Sequence, residues 1–264
     1  MFLKSRFIVF LVVFISMHAS AGMLESRLAF VGDSGSKAYL GARQGLDEAN
    51  LQGNFLNHSY SMDVIDPDKA SSTDFSPYIA IISAADKNTF IALINSNTQP
   101  VFNVLLKDDD LRLICAGNSF HIYPAGKMQQ DAVAQWHSLH PDDDVIARTW
   151  HPDFVKFAAR DLNKRFSKAY QVPMDDAAWS GWAAVKMTSE GIIRLNITDS
   201  NQLLTFLRDK LQFDGQMGIE LNFRPNGQLR QPMLLIKDNS IVGEAPVRGV
   251  SDDLDSLGTL DCAQ

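Results

Sequence analysis

The chain has 264 residues, of which 45% are hydrophobic and 21% are charged. This composition is typical of a globular protein and excludes disordered, collagen-like and low-complexity classes. The length suits one large domain or two small lobes. Lys and Arg number 24 and Asp and Glu number 31, giving a net charge of −7. An acidic surface repels a phosphate backbone, so we expect no nucleic-acid partner.

The amino terminus has the pattern of a secretory signal peptide. Lys4 and Arg6 form a basic start, residues 7–16 form an unbroken apolar run, and residues 19–21 (Ala-Ser-Ala) form a small-x-small cleavage site. The apolar run is only about half of the roughly 20 residues that a membrane span needs. We therefore predict that residues 1–21 are removed, leaving an exported, periplasmic protein that is not inserted in a membrane. An uncleaved anchor is the alternative.

The chain has two cysteines, Cys115 and Cys262. An even count in an oxidising compartment favours a single disulfide, which would tie the carboxyl-terminal tail to the body of the protein. Two free thiols are the alternative.

In chain order, the first half alternates between strand and helix patterns. Short apolar or alternating runs predict strands, and apolar residues at helical spacing predict helices. Predicted strands are 27–31, 57–65, 78–83, 99–105 and 114–123, and predicted helices are 38–49 and 85–95. This rhythm indicates a mostly parallel sheet covered by helices, that is, a Rossmann-like α/β fold.

The second half is richer in helices and ends in hairpins. Predicted helices are 128–139, 153–170, 174–190 and 202–210, with a short strand at 145–150. Asn226-Gly227 is a strong turn signal, so we predict a hairpin in which 218–223 pairs with 231–236. A second turn at Asp238-Asn239 leads to a last strand at 241–245.

The loop Gly32-Asp33-Ser34-Gly35-Ser36 follows the first predicted strand. In open α/β sheets ligands bind beyond the carboxyl ends of strands and beside helix N-termini, so Ser34 is a candidate ligand contact. A nucleophile loop and simple helix capping are the alternatives. The loop fits neither the dinucleotide pattern GxGxxG, because residue 34 is Ser, nor the hydrolase pattern GxSxG, because residue 36 is Ser.

Residues 32–34 (Gly-Asp-Ser) resemble the start of the GDSL-type serine hydrolases. That resemblance implies a late histidine in a DxxH block to activate the serine. The last histidine here is His151, and no histidine has Asp three residues before it. A serine without a base is a weak nucleophile, so a hydrolase is a remote alternative.

A matching loop, Ser83-Ala84-Ala85-Asp86, follows the strand at 78–83. Its small side chains leave room for a ligand, and the helix that follows offers backbone N–H groups. We therefore predict that Ser83, Ala84 and Asp86 contact a ligand. Capping of the next helix by Ser83 or Asp86 is the alternative.

Aromatic and basic residues supply further candidates. Trp150 and Trp179 are predicted either to stack on a planar ligand or to pack in the core. Arg230 is a candidate partner for a carboxylate, with solvent exposure as the alternative. The acidic runs 108–110 and 142–144 are typical of solvated turns, so we predict no metal site.

Several segments resemble the type I periplasmic binding proteins, and within them the branch found beside alcohol dehydrogenases that depend on pyrroloquinoline quinone (PQQ). The strongest match is the tail, residues 223–232 with 254–258 and Cys262. Weaker matches are 39–50 with 53–56, Trp150-His151 and 177–179.

The resemblance implies two α/β lobes that hold a solute and deliver it to an ABC permease. The implied ligand is PQQ or a solute of alcohol oxidation, the protein is not an enzyme, and it requires no cofactor. Ser34 and residues 83–86 would be the ligand loops of the first lobe. Trp150 or Trp179 would stack on the ligand, and His151 or Arg230 would hydrogen-bond an anionic group.

One departure from the family is the short connection between the helix at 128 and the strand at 145, which suggests that most of the second lobe is missing. We therefore expect one full lobe plus a reduced second subdomain within residues 22–264. Their bounds are about 26–122 and 145–210 for the main lobe, and about 123–144 and 211–250 for the reduced subdomain. An open lobe exposes former interlobe surface, so the alternative is a non-binding adaptor that docks on a dehydrogenase, a cytochrome or a permease.

Overall fold

The computed structural model describes residues 23–197, 199–258 and 261–262. The predicted signal peptide lies outside them. Within the described ranges, no helix is long and apolar enough to cross a membrane. The helices are α1 (Lys37–Gly53), α2 (Lys87–Ser96), α3 (Asp109–Leu113), α4 (Gly126–Leu139), α5 (Ala159–Tyr170), α6 (Asp176–Leu195) and α7 (Ser200–Asp209). The strands are β1 (Leu24–Val31), β2 (His58–Ile65), β3 (Ala80–Ser83), β4 (Val101–Asn103), β5 (Ser119–His121), β6 (Ile146–Arg148), β7 (Asn222–Phe223), β8 (Leu229–Arg230), β9 (Met233–Lys237) and β10 (Ser240–Ala245).

Five parallel strands form the larger sheet, in the order β2-β1-β3-β4-β5. Residues 28–31 of β1 are completely buried, which is typical of a parallel strand covered on both faces. Side chains alternate along a strand, so Leu28 and Phe30 pack towards α1 and α6, and Ala29 and Val31 pack towards α2. The predicted α/β class is confirmed.

Helices α1 and α6 pack with their backbones in close contact. A Cβ added at Gly41 would lie 1.7 Å from the carbonyl oxygen of Ala178, and one at Gly181 would lie 2.1 Å from that of Ala38. Glycine is therefore required at both positions. After β6 in the smaller sheet, the chain comes back to the larger sheet, where α6 packs on α1.

A smaller sheet contains three antiparallel strands in the order β10-β9-β6 and is covered by α4. Met128 and Ala132 of α4 share a buried cluster with Ala147 and Leu235. The predicted lobe bounds put 145–150 in the main lobe, whereas Ile146 pairs with Ile236 of β9 in the smaller sheet. The other bounds stay predictions.

The tail hairpins differ in part from the prediction. β7 pairs with β8 over two residues across the Asn226-Gly227 turn, and β9 does not pair with β7. Residues 233–236 are buried, and this apolar strand lies between two neighbours, β6 and β10. The predicted turn at Asp238-Asn239 is present, with φ values of 49° and 59° that suit a tight hairpin.

The carboxyl-terminal segment connects the two sheets through a disulfide and several hydrogen bonds. Cys115 and Cys262 form the predicted disulfide. The Asp255 carboxylate accepts hydrogen bonds at 2.8 Å from the guanidinium groups of Arg224 and Arg230. The backbone N–H of Gly258 donates to Asp131 of α4 at 2.7 Å. This segment therefore links α4, the β7–β8 hairpin and the region after α3.

Candidate functional site

The two predicted ligand loops meet at the carboxyl edge of the larger sheet. The backbone N–H of Ala84 donates to the carbonyl of Val31 at 2.9 Å. A Cβ added at Gly32, whose φ is 156°, would lie 3.1 Å from the Cβ of Ala84. Parallel strands end at the same edge, so the loop 32–36 and the loop 83–86 lie side by side as expected.

Both loops also cap the helices that follow them. The Ser36 hydroxyl accepts a hydrogen bond from the backbone N–H of Tyr39. The Asp86 carboxylate accepts hydrogen bonds from the Thr89 hydroxyl and from the backbone of Thr89 and Asn88, and these bonds hold its pKa below its ordinary value. The capping interpretation of Asp86 is therefore confirmed. A ligand role for this residue stays a prediction.

Ser83 and Ser34 differ in exposure. Ser83 is buried at the end of β3, where the backbone N–H of Ala85 lies 3.5 Å from its hydroxyl. Ser34 is exposed, and its hydroxyl has no hydrogen-bond partner among the described residues. The neighbouring carboxylate of Asp33 accepts from the backbone of Gly35 instead. Nothing in the described part of the chain activates Ser34 as a nucleophile.

The two candidate stacking residues pack on each other in the core. The rings of Trp150 and Trp179 lie 5.9 Å apart at an interplanar angle of 16°. Their indole N–H groups donate to Asn163 Oδ1 at 2.8 Å and to the Gly215 carbonyl at 3.0 Å. With 2% and 0% exposure, neither presents a face to a ligand. The expected ligand stacking is corrected to core packing in this conformation.

The two candidate anion contacts also have partners within the chain. The buried His151 accepts a hydrogen bond at Nδ1 from the backbone N–H of Asp153, and its Nε2 lies 3.5 Å from Asn239. Arg230 does bind a carboxylate, as its residue type suggested, but the carboxylate is that of Asp255. Neither residue joins the loops at the strand ends through a described contact.

A polar cluster that the sequence did not indicate lies where the chain leaves the smaller sheet. Asp176, in the first turn of α6, accepts at Oδ1 from the backbone N–H of Trp150 at 2.8 Å. Its Oδ2 has no hydrogen-bond partner in the described ranges and lies 3.5 Å from Arg148. Burial raises the pKa of Asp176 to about 6. In the sequence, the pair 175–176 signals only the start of a helix.

Five of the surface cavities that the described residues line have volumes of 230 to 600 Å³. None of these five is lined by Ser34 or by residues 83–86. One of these cavities is lined by Lys107, from the loop after β4, and by Arg148.

No family model matches the sequence, and no curated protein matches it. Solved structures do match. A branched-chain amino acid ABC transporter periplasmic ligand-binding protein from Burkholderia xenovorans LB400 aligns at a TM-score of 0.72 and 12% identity, over 83% of this chain and 95% of its own. A periplasmic binding protein from Burkholderia mallei aligns at 0.70 and 9% identity, over 90% and 99%.

A third match is an ABC transporter solute-binding protein from R. palustris in complex with benzoate, at a TM-score of 0.63 and 13% identity, over 90% and 99% of the two chains. The fold is thus that of the type I periplasmic binding proteins. At these identities the similarity concerns the fold alone. The alignments extend over almost the whole length of the neighbours, so the predicted loss of most of a lobe stays a prediction.

Proposed function

We propose that this chain is a periplasmic solute-binding protein of an ABC transport system, and that its solute is PQQ or a related small solute of alcohol oxidation. The observation that carries the proposal is the meeting of the loops 32–36 and 83–86 at the carboxyl edge of a parallel sheet. The fold of the aligned solute-binding proteins supports it. The tail motif at 223–232 supports the PQQ-linked branch.

The chemistry of the edge favours an extended polar ligand. Gly32 is buried against Phe30 and Ala84, so a ligand at this edge would meet the exposed Ser34 hydroxyl, which offers a donor. The carboxylates of Asp33 and Asp86 lie in the same loops and repel an anion. An anionic solute must therefore bind here through hydroxyl and backbone N–H groups, with its charge directed away from both carboxylates.

Solved structures with this fold include complexes with isoleucine, leucine and benzoate. All three carry a carboxylate, and PQQ is a planar molecule with several. Export by the signal peptide at 1–21 would place the protein in the periplasm, where an ABC permease would receive the solute.

The proposal is tested by thermal unfolding of the mature chain, residues 22–264, with and without PQQ. A ligand that binds only the folded state raises the melting temperature. We expect a rise for the wild type and for Ser167→Trp, which adds the same bulk at an exposed position on α5. Ser34→Trp should lose the rise because the indole covers the loop. Unchanged melting of the wild type at saturating PQQ would overturn the proposal.

A second candidate function is the adaptor, and one observation favours it. Apolar side chains of the smaller sheet and the segment after it are exposed, namely Ile146 at 51%, Val155 at 50%, Phe157 at 62% and Val242 at 40%. Such surface suits a protein partner, for example a PQQ-dependent dehydrogenase or its cytochrome. Co-elution with the dehydrogenase, without any effect of PQQ on melting, would favour this function, and Ile146→Asp should abolish it.

A further inference from the structure

We propose that the groove between α4 and β6 is a second small-molecule site, separate from the strand-edge loops, and that it binds an organic carboxylate with an apolar body. Its volume of 510 Å³ lies within the range of about 300–1,000 Å³ that is usual for ligand pockets. Ten residues line it: Lys107, Gln129, Gln130, Val133, Ala134, His137, Val145, Ile146, Ala147 and Arg148.

The lining separates an apolar floor from cationic groups. Val133, Val145 and Ala147 supply the floor, and Lys107 and Arg148 supply the charge. None of the ten lining residues is Asp or Glu, although the chain has 31 acidic residues and a net charge of −7. A groove of this kind in an acidic protein selects an anion, and its apolar floor selects an anion with a hydrocarbon part.

The other described cavities lack this combination. In one of them the cations Lys156 and Arg248 are balanced by Asp153 and Glu244. In another, Arg27 is paired with Asp63 and the lining also contains Glu25 and Asp199. A third contains both Lys186 and Glu190, and the fourth is lined by no charged residue. Among the five, the groove beside α4 is therefore the one with an excess of positive charge.

The cations in the groove are available to a ligand. Lys107 is exposed, and its ammonium group has no ion pair or hydrogen bond within the described ranges. Arg148 has one contact, between Nη1 and Asp176 at 3.5 Å, which leaves Nε and Nη2 free of described partners. A carboxylate placed between these side chains would gain charge-assisted hydrogen bonds from both.

The groove is not suited to the addition of a peptide strand. β6 is an edge strand, but the side chain of Gln129 donates to the carbonyl of Ala147 at 3.3 Å. The backbone N–H of Trp150, just beyond the strand, already donates to Asp176. These contacts occupy the edge that a peptide would need, so a small molecule is the better occupant.

The test is a nuclear magnetic resonance titration of the mature chain with benzoate and, as a neutral isostere, benzamide. We expect saturable shifts of the amides of residues 129–134 and 146–148 with benzoate, and affinity at least about tenfold weaker for benzamide. Shifts confined to 32–36 and 83–86 would overturn the groove while leaving the proposed solute site intact. The absence of saturable shifts would also overturn it.

Two variants and their controls localise the site. Ala134→Trp fills the groove from an exposed position of α4, and Lys107→Gln removes one cation. Both should weaken benzoate binding by about tenfold or more. The matched controls Ala169→Trp and Lys168→Gln, at exposed positions of α5, should leave it unchanged. Equal affinity in all four variants would overturn the assignment, whatever the result with PQQ.

Discussion

The carboxylate of Asp176 accepts a hydrogen bond from the backbone N–H of Trp150 at 2.8 Å, and both groups are buried. This bond joins the first turn of α6 to the segment that leaves the smaller sheet. The stacking of Trp150 on Trp179 lies beside it. These two contacts form the joint between the two sheets, and the hydrogen bond in it is accepted by the buried carboxylate of Asp176.

The joint predicts a specific dependence of stability on pH. Burial raises the pKa of Asp176 to about 6, above its ordinary value of 3.8. The folded protein therefore holds the proton more tightly, and this stabilisation is complete below pH 3.8 and is lost as the pH rises through about 6. One residue shifted in this way changes the free energy of unfolding by up to about 3 kcal/mol.

Asp176→Asn tests this dependence, because Asn keeps the oxygen that accepts from Trp150 but does not titrate. Urea unfolding between pH 4 and pH 7 should show the wild type losing up to about 3 kcal/mol relative to the variant over that range. Parallel stability curves for the two proteins would contradict the assignment.

The close packing of α1 on α6 predicts a large effect of one methyl group. Gly41→Ala would place Cβ 1.7 Å from the Ala178 carbonyl oxygen, so one helix must move. We expect a loss of about 1–3 kcal/mol or more in the free energy of unfolding, measured with urea. The control is Gly117→Ala, where a Cβ would meet nothing within 4 Å. An equal effect of the two substitutions would refute the packing argument.

The disulfide predicts sensitivity to reductant. Cys115 and Cys262 are separated by 147 residues, so their bond removes much conformational freedom from the unfolded chain. Reduction of the wild type should lower its free energy of unfolding by about 2–4 kcal/mol. The double variant Cys115→Ser with Cys262→Ser should have the same free energy of unfolding as the reduced protein. Dithiothreitol should not change the stability of this variant. A wild type that melts at the same temperature with and without reductant would refute this prediction.

We predict that the carboxylate of Asp255, which lies between two arginines, stabilises the carboxyl-terminal segment. Asp255→Asn removes the anion that faces Arg224, of which 5% is exposed, and Arg230. We expect a loss of about 1–3 kcal/mol in urea unfolding, because a buried cation is left without its counterion. Asp252→Asn, at an exposed position three residues away, is the control and should have little effect.

The contribution of Asp255 to stability changes with pH in the opposite direction to that of Asp176. Burial alone would raise the pKa of Asp255, but the hydrogen bonds from Arg230 and Arg224 outweigh it and lower the pKa below its ordinary value. Its contribution is therefore present above the unfolded pKa and is lost as the pH falls through the folded one. A destabilisation by Asp255→Asn that is the same at pH 3 and pH 7 would contradict this.

The larger sheet was predictable because its signals are local. Residues 28–31 and 79–82 are continuous apolar runs, and each is followed by small residues and an amphipathic helix. Helix α3 was missed because it has five residues, and the acidic run 108–110 was interpreted as a solvated turn. Instead, Asp109 accepts a hydrogen bond from the backbone of Lys127 at the start of α4.

The polar contacts of the candidate site were not predictable, since they join distant parts of the chain. Trp150 and Trp179 are 29 residues apart in the chain. Their being aromatic does not indicate that their rings stack on each other. Arg230 was identified as a carboxylate partner, but the sequence does not specify that the carboxylate is Asp255. The same holds for β6, whose apolar residues fit either sheet.

The most direct test of the central claim is calorimetric titration of PQQ into the purified mature chain. The account predicts saturable, one-to-one binding that is lost in Ser34→Trp and kept in Ser167→Trp. No heat of binding from a folded wild-type protein would contradict it, and co-elution with the dehydrogenase would then test the adaptor function.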